Sequence, residues 1–199
     1  MAEQTTVVSS IIGLDSLYYA KIIKDDATGV TYATPKRLKG AVKLKASKKV
    51  SSEIFYGDNQ KLEVAESDGQ TDVEIEVQGL PLSIKADLEG YPDVVDGVLD
   101  EKRVGEKPYV ALGYRFMKGN GKYRYVWLLK GKLSQEEEEA ETKKDKTDFK
   151  TTPLKGAFIE RDNDGRLKFT ADADEPTFTK AVADGWFTSV YSKPTVPTP

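Results

Sequence analysis

The sequence predicts a mainly β protein, a single-domain β-sandwich or partly closed barrel with one or two short flanking helices and a long mobile loop. The strongest indication is residues 107–131, where two runs rich in Tyr, Val, Leu, Phe and Trp flank the turn sequence MKGNGK. Glycine and asparagine readily take the positive φ of a tight reversal, and aromatic and β-branched residues favour strands. Several other short runs alternate apolar and polar residues between turn residues. The 199 residues show no break that would divide the chain, so one domain is expected.

The hairpin predicted over residues 107–131 is apolar on much of both faces. Tyr123, Tyr125 and Trp127 lie on one face of its second strand, while Val126 and Leu128 make the middle of the other face apolar. Both faces therefore need cover. Either the hairpin lies centrally in a sandwich, or a second copy of the protein covers it.

Two further hairpins are predicted from turn residues that separate alternating segments. In the first, residues 62–66 pair with 72–78 around a turn at 67–70, and in the second, 154–161 pair with 166–171 around 162–165. Residues 72–78 alternate so regularly that Asp72, Glu74 and Glu76 should form a strongly acidic face in water. Other strands are expected at 17–24, 30–34, 38–46, 51–56, 97–99 and 186–191.

Helix signals occur at two places. Residues 80–89 have Pro81 near the start and Gly90 just past the end, and a second helix is expected from Asp174, as N-cap, to Gly185 with Phe178, Ala181 and Val182 inward. The chain is thus divided into an arm (1–16), a β domain (17–192) containing a mobile acidic and lysine-rich loop (134–150), and a proline-rich tail (193–199).

Composition argues against catalysis. The chain contains neither cysteine nor histidine, which excludes thiol nucleophiles, zinc–thiolate sites and Ser–His dyads. Residues 160–171 resemble a calcium loop, but Ala171 stands where the bidentate acid is needed, so no metal site is predicted. We expect no enzyme, no catalytic residue, no cofactor and, for lack of an apolar run of sufficient length, no membrane partner.

Charge is segregated although the net charge is only −3. Residues 36–49 hold seven basic residues and no acid, whereas residues 58–101 hold thirteen acids against two lysines. Three interpretations of the basic block remain open: a solvated strand face, a polyanion site, or a docking surface for the acidic stretch of a neighbouring subunit. The Tyr/Trp stripe at 123–127 is likewise either core, a subunit interface or a carbohydrate platform.

Several stretches taken together resemble the major tail protein (tail tube protein) family of long-tailed bacteriophages (siphophages), particularly those of Gram-positive bacteria. They are GLDSLYYAKI (13–22), TYATPKRLKGA (31–41), PYVALGYRFMKGNGKYRYVWLLKG (108–131) and TKKDK (142–146). The resemblance implies a structural virion protein of the tail tube fold that forms hexameric rings stacked into a tube. It also implies tape-measure, tail completion and baseplate proteins as partners, non-specific passage of DNA through the lumen, and a location in the phage tail after assembly in the host cytoplasm.

Candidate residues follow from these expectations. An acidic lining would repel DNA phosphates, which makes Asp72, Glu74 and Glu76 candidates for the lumen. The candidates for contacts between subunits are the basic residues, the aromatic stripe and the acidic loop: Lys43, Lys45, Lys48, Lys49, Tyr123, Tyr125, Trp127, Glu136, Glu137, Glu138 and Glu139. The alternative function is a carbohydrate-binding β-module of a phage or bacterial surface structure.

Overall fold

Antiparallel strands dominate the computed structural model, which describes residues 8–57, 60–102, 105–135, 137, 138, 142 and 150–193, with the backbone alone described for 51–57 and 60–68. The strands form one sheet, in the order β2-β1-β6-β7-β8-β5-β4, with β3 beside β1 and β9 beside β7, and this sheet is not closed. The elements are β1 (Ile11–Asp26), β2 (Gly29–Tyr32), β3 (Lys36–Arg37), β4 (Ala41–Gly57), β5 (Gln60–Val77), α1 (Leu82–Glu89), β6 (Val110–Lys118), β7 (Tyr123–Ser134), β8 (Thr152–Ile159), β9 (Lys168–Asp172) and α2 (Lys180–Gly185). The prediction of a mainly β protein with two short helices is confirmed.

The hairpin expected over residues 107–131 is confirmed as β6–β7. Its turn is closed by the Lys118 N–H, which donates to the Lys122 carbonyl at 2.8 Å, and Gly121 supplies a positive φ of 79°. Helix α1 is confirmed as well: Pro81 is its N-cap, and Gly90 ends it in the left-handed conformation that glycine adopts without strain.

The arm and the first predicted hairpin differ from expectation. Residues 11–16 are not an arm but the first part of β1, where Leu14 lies opposite Phe116. Residues 67–70 are not a turn, because β5 runs through them and stays paired with β4. Gly69 lies where a Cβ would be 2.9 Å from the Lys49 carbonyl oxygen, so this glycine permits a close strand approach beside a bulge instead of a reversal.

The second predicted hairpin is also wrong. Strands β8 and β9 both exist, but each pairs with β7: β8 lies opposite residues 130–134 and β9 opposite residues 124–128. They run in the same direction along one edge of β7. The chain between them forms a loop, which is closed by a hydrogen bond from the Arg161 N–H to the Arg166 carbonyl at 3.1 Å.

The C-terminal part is less regular than predicted. Helix α2 begins after Thr179, not at Asp174, and Ala181 is exposed. Residues 186–191 are turns and extended chain instead of a strand, and the strand expected at 97–99 is reduced to one bridge between Val95 and Val98. The mobile loop (134–150) and the tail (193–199) lie mostly outside the described residues.

Two hydrophobic clusters cover the two faces of the sheet. The first joins Leu17 of β1 with Ile75 of β5, so the sheet curves around it, and Leu88 of α1 packs onto it. The second joins Trp127 of β7 with Trp186 of the C-terminal segment. Hairpin β6–β7 is therefore central and covered on both sides by its own chain.

Candidate functional site

The basic and acidic candidates lie on adjacent strands and face one another. In the β4–β5 register Lys43 is opposite Glu76 and Lys45 is opposite Glu74. The Nζ atoms approach the carboxylate oxygens at 3.0 Å for Lys43–Glu76, 3.8 Å for Lys45–Glu74 and 2.7 Å for Lys49–Asp72. We refer to these six residues, Lys43, Lys45, Lys49, Asp72, Glu74 and Glu76, as the charge ladder.

The charge ladder bears on two expectations, the acidic face of β5 and the lysine contacts between subunits. The alternation of β5 is as predicted, because Val73, Ile75 and Val77 are buried while the acids between them reach solvent. The negative charge of this face is nevertheless balanced, since three lysines of the same chain pair with its carboxylates. The lysines expected to meet acids of a neighbouring subunit already have partners within their own chain.

The ladder is a hydrated surface. The side chains of Lys43, Lys45 and Lys49 are 63%, 60% and 63% exposed. Hydrogen bonds from Lys49 and then from Gln70 lower the pKa of Asp72. Ion pairs this exposed contribute little to folding because water screens them and the side chains lose entropy on pairing. Their main effect is to give this part of the sheet alternating charges with little net sign.

Two of the four glutamates of the acidic run also have partners in the chain. The Glu137 carboxylate lies 3.0 Å from the Lys155 ammonium, and that of Glu138 lies 3.3 Å from Lys85. Lys155 is opposite Glu74 in the β5–β8 register, so it extends the charged surface onto β8. Glu136 and Glu139 lie outside the described residues.

The remaining lysine candidate, Lys48, is separate from the ladder. It lies opposite Thr71 and borders a groove of about 510 Å³ together with Arg166 and Lys168.

The aromatic stripe is mostly interior. Trp127 is fully buried, and its indole N–H donates to the Trp186 carbonyl at 2.8 Å. Tyr125 is 5% exposed and stacks on Phe178 with the ring centroids 5.8 Å apart. Tyr123 is half-buried. Tyr125 and Trp127 are therefore covered by their own chain, which leaves neither side chain the exposed surface that a contact with another subunit or a carbohydrate platform would use.

Sequence reasoning missed the feature that distinguishes this part of the molecule. Within the part of the chain that the structure describes, β5 pairs with β8 through Thr71–Val77 only, whereas residues 60–70 have β4 as their one neighbouring strand. The end of the β4–β5 hairpin thus continues beyond the rest of the sheet. Strand β4 is an edge of that sheet along its whole length, and Val42 and Val50 on it are 58% and 53% exposed. Alternating lysines such as Lys43 and Lys45 are typical of edge strands, so they were the signal in the sequence from which the edge position of β4 could have been predicted.

We call the chain after β9 the C-terminal segment and its rings in the second cluster, Phe178, Trp186, Phe187 and Tyr191, the aromatic cover. Buried ion pairs hold this cover on the sheet. Lys118, 3% exposed, binds Asp172 at 2.7 Å and also pairs with Asp174, which links the β6–β7 turn to the start of the C-terminal segment. Burial alone would raise the pKa of Asp172, but hydrogen bonds from Lys118, the Asp174 backbone and Arg124 outweigh it and lower the pKa to about 2.

A second buried ion pair, Lys130–Asp25, holds the loop between β8 and β9 in place. Asp25 accepts hydrogen bonds from the backbone N–H groups of Asp162 and Asn163, both at 2.9 Å, and from Lys130 at 2.9 Å. The acidic turn predicted at 162–165 thus anchors the β1–β2 reversal.

Neither a scan against models of protein families nor a search of curated proteins found a match. Within the described ranges, no helix has the length and apolar character needed to cross a membrane. In the same ranges, no three His, Cys, Asp or Glu side chains are grouped so as to hold a metal ion.

Proposed function

We propose that this chain is a structural subunit that assembles into stacked, hexameric rings and forms the tail tube of a long-tailed bacteriophage. The observation that carries the proposal is the β4–β5 hairpin, which continues past β8 and in which the outer edge of β4 has no partner strand among the described residues. The sequence stretches that resemble tail tube proteins support the same function. Beyond a mainly β protein with one antiparallel sheet, we propose that the fold is the β-sandwich or partly closed barrel of that family.

An open sheet with two edges suits a ring. Unpaired backbone groups on an edge strand readily pair with another chain, which stable monomers usually prevent. The two edges here differ: β4 has 17 residues and β2 has four. Pairing of unlike edges is heterologous, and heterologous contacts generate closed rings when the rotation between copies closes. In this proposal β4 of one copy adds to the β1–β2 edge of the next.

The end of the hairpin suits contact between rings. Eleven residues of β5, 60–70, lie beyond the last residue paired with β8, which corresponds to a length of roughly 35 Å. A two-stranded hairpin is marginally stable in water by itself. Neighbouring copies would supply the surface that stabilises it.

The charge ladder suits a lumen through which DNA must slide. Each of its lysines is paired with a carboxylate of the same chain, so the surface offers DNA phosphates no uncompensated positive charge. In this proposal Asp72, Glu74 and Glu76 face the lumen together with their lysines. Tape-measure protein fills the lumen before DNA, and tail completion and baseplate proteins bind the ends of the tube.

Negative-stain microscopy and analytical ultracentrifugation of the purified chain test the proposal. We expect rings or tubes at high protein concentration. Val50→Lys, which places a charge on the free edge of β4, should leave a folded monomer that no longer assembles. Val98→Lys is the matched control, because Val98 is 67% exposed but lies outside the sheet, in the isolated bridge with Val95.

Two results would contradict the proposal. One is a strictly monomeric protein at all concentrations. The other is normal tube formation by Val50→Lys, which would show that the β4 edge takes no part in assembly.

A further inference from the structure

A small cavity lies between β9 and the C-terminal segment, on the outer side of the aromatic cover. Its volume is about 220 Å³, and three partly exposed rings, Phe169, Phe178 and Tyr191, form its walls around the buried Trp186. Phe169 and Tyr191 meet at 79°, with centroids 5.2 Å apart, so the walls are not coplanar. The cavity is below the usual range for drug-sized ligands, which begins at roughly 300 Å³. It has room for one small ring.

Polar groups beside these rings have no side-chain partner among the described residues. Glu175, Thr170 and Thr177 line the cavity, and their side chains form no hydrogen bond or ion pair with any described residue. A carboxylate offers only acceptors, whereas each hydroxyl offers a donor and acceptors. Together they match a ligand that carries several hydroxyl groups.

Charge around the cavity decides against ionic ligands. No lysine or arginine is among the described lining residues, and the nearby Arg161 and Arg166 are both paired with Asp164, so little positive charge is left to hold an anion there. Aromatic rings beside a carboxylate can also bind an organic cation. Here, however, the guanidinium groups of Arg161 and Arg166 already lie 5.7 and 5.6 Å from the Phe169 ring, and Asp172 is neutralised by Lys118 and Arg124. The Phe169 ring is thus already occupied by cations, and Glu175 is left as a single carboxylate for a further one.

We propose that this cavity binds a single neutral sugar ring. The C–H face of the sugar would pack on Phe178 or Tyr191, and its hydroxyls would bond Glu175 and Thr177. The aromatic side chains expected to form a carbohydrate platform, Tyr125 and Trp127, lie beneath this site instead of forming it. The site depends on the fold of one chain and is independent of whether that chain assembles.

Saturation-transfer difference NMR on the full chain tests the proposal, since it works on both monomers and large assemblies. The probes are the methyl glycosides of glucose, galactose, mannose and N-acetylglucosamine, with tetramethylammonium chloride as the cationic competitor. At least one glycoside should bind with a Kd of millimolar order, as expected for so few contacting atoms.

Variants locate the binding. Glu175→Ala and Thr177→Val should each weaken binding about fivefold to tenfold, because each removes one hydrogen bond to the sugar. Asp184→Ala, an exposed acid that does not line the cavity, should leave the Kd unchanged. Circular dichroism confirms that each variant is folded.

Three outcomes overturn the proposal. The first is the absence of saturable transfer to any glycoside at concentrations well above the millimolar range. The second is displacement of a bound glycoside by tetramethylammonium, which would make the site a cation cage. The third is an unchanged Kd in both Glu175→Ala and Thr177→Val, which would put the binding elsewhere on the chain.

Discussion

Gly113 lies directly beneath the indole ring of Trp127, on the neighbouring strand. A Cβ at Gly113 would be 2.6 Å from Trp127 Cη2, closer than non-bonded carbon atoms approach. Trp127 is itself held by the hydrogen bond from its N–H to the Trp186 carbonyl, so the ring cannot move without disturbing the cover. Absence of a side chain at Gly113 is therefore what lets Trp127, one of the two tryptophans of the second cluster, lie flat on the sheet.

Gly113→Ala should destabilise the protein by about 1–3 kcal/mol, because an added methyl in a well-packed core forces neighbouring side chains out of their preferred rotamers. Chemical denaturation measures the change in the free energy of unfolding. Gly13→Ala is the matched control on β1, where a Cβ would have no atom within 4 Å. Equal stability of the two variants would show that the Gly113–Trp127 contact is not tight.

Asp172 gives the aromatic cover a dependence on pH. Its pKa of about 2 in the folded state lies below the ordinary value of 3.8, so its ionised form is stabilised by folding. This contribution is complete above about pH 4 and is lost as the pH falls towards 2. Asp172→Asn should lower the free energy of unfolding by about 2 kcal/mol at pH 7.

The difference between the wild type and Asp172→Asn should shrink below pH 4 and approach zero only below about pH 2. Thermal unfolding at a series of pH values measures it. Asp184→Asn, which removes an exposed carboxylate 3.8 Å from Lys180, should show no such trend. A difference that stays constant with pH would contradict an ionic role for Asp172.

At the scale of elements, local patterns predicted most of the strands but not how they pair. Hairpin β6–β7 and helix α1 were predictable because turn residues, caps and apolar spacing agree over adjacent residues. The turn residues at 67–70 misled because pairing with β4 overrides local turn propensity through a long ladder of hydrogen bonds. The pairing of β8 and β9 with β7 was beyond prediction, since it depends on contacts between residues far apart in the chain.

In the candidate site too, the local pattern predicted which side chains face solvent but not which strands are neighbours. Alternation along β5 correctly separated Val73 and Ile75 from Glu74 and Glu76. Nothing in the local sequence shows that β4 is the neighbour of β5, so the lysines and acids were assigned to different surfaces. Their pairing became visible only with the strand order.

Lys45 and Glu74 allow the element-scale interpretation to be tested by a charge swap. Lys45→Glu alone places like charges opposite each other across the β4–β5 pair and should cost about 0.5 kcal/mol. Combining it with Glu74→Lys should restore both the free energy of unfolding and the formation of tubes. If stability returns but tubes do not, Lys45 meets an acid of a neighbouring subunit and the interpretation of a ladder within one chain is incomplete.

For the whole molecule, the proposed tube requires a lumen that does not retain DNA. Acids and lysines of the ladder compensate one another, and the lumen assignment predicts that this compensation is what keeps DNA free to move. Glu74→Lys combined with Glu76→Lys changes the charge of each subunit by about +4 and leaves Lys43 and Lys45 without their carboxylate partners. The ladder is exposed, so the monomer should still fold.

Tubes of the Glu74→Lys, Glu76→Lys variant, assembled in the presence of short duplex DNA, should hold DNA that resists nuclease and is released as salt is raised. Wild-type tubes should hold none. The matched control is Glu160→Lys combined with Glu175→Lys, which makes the same charge change at two exposed acids outside the ladder. DNA bound by the control at the outer surface should remain sensitive to nuclease. If the ladder variant also binds DNA only in a nuclease-sensitive form, the ladder lies on the outside of the tube and the lumen assignment is wrong.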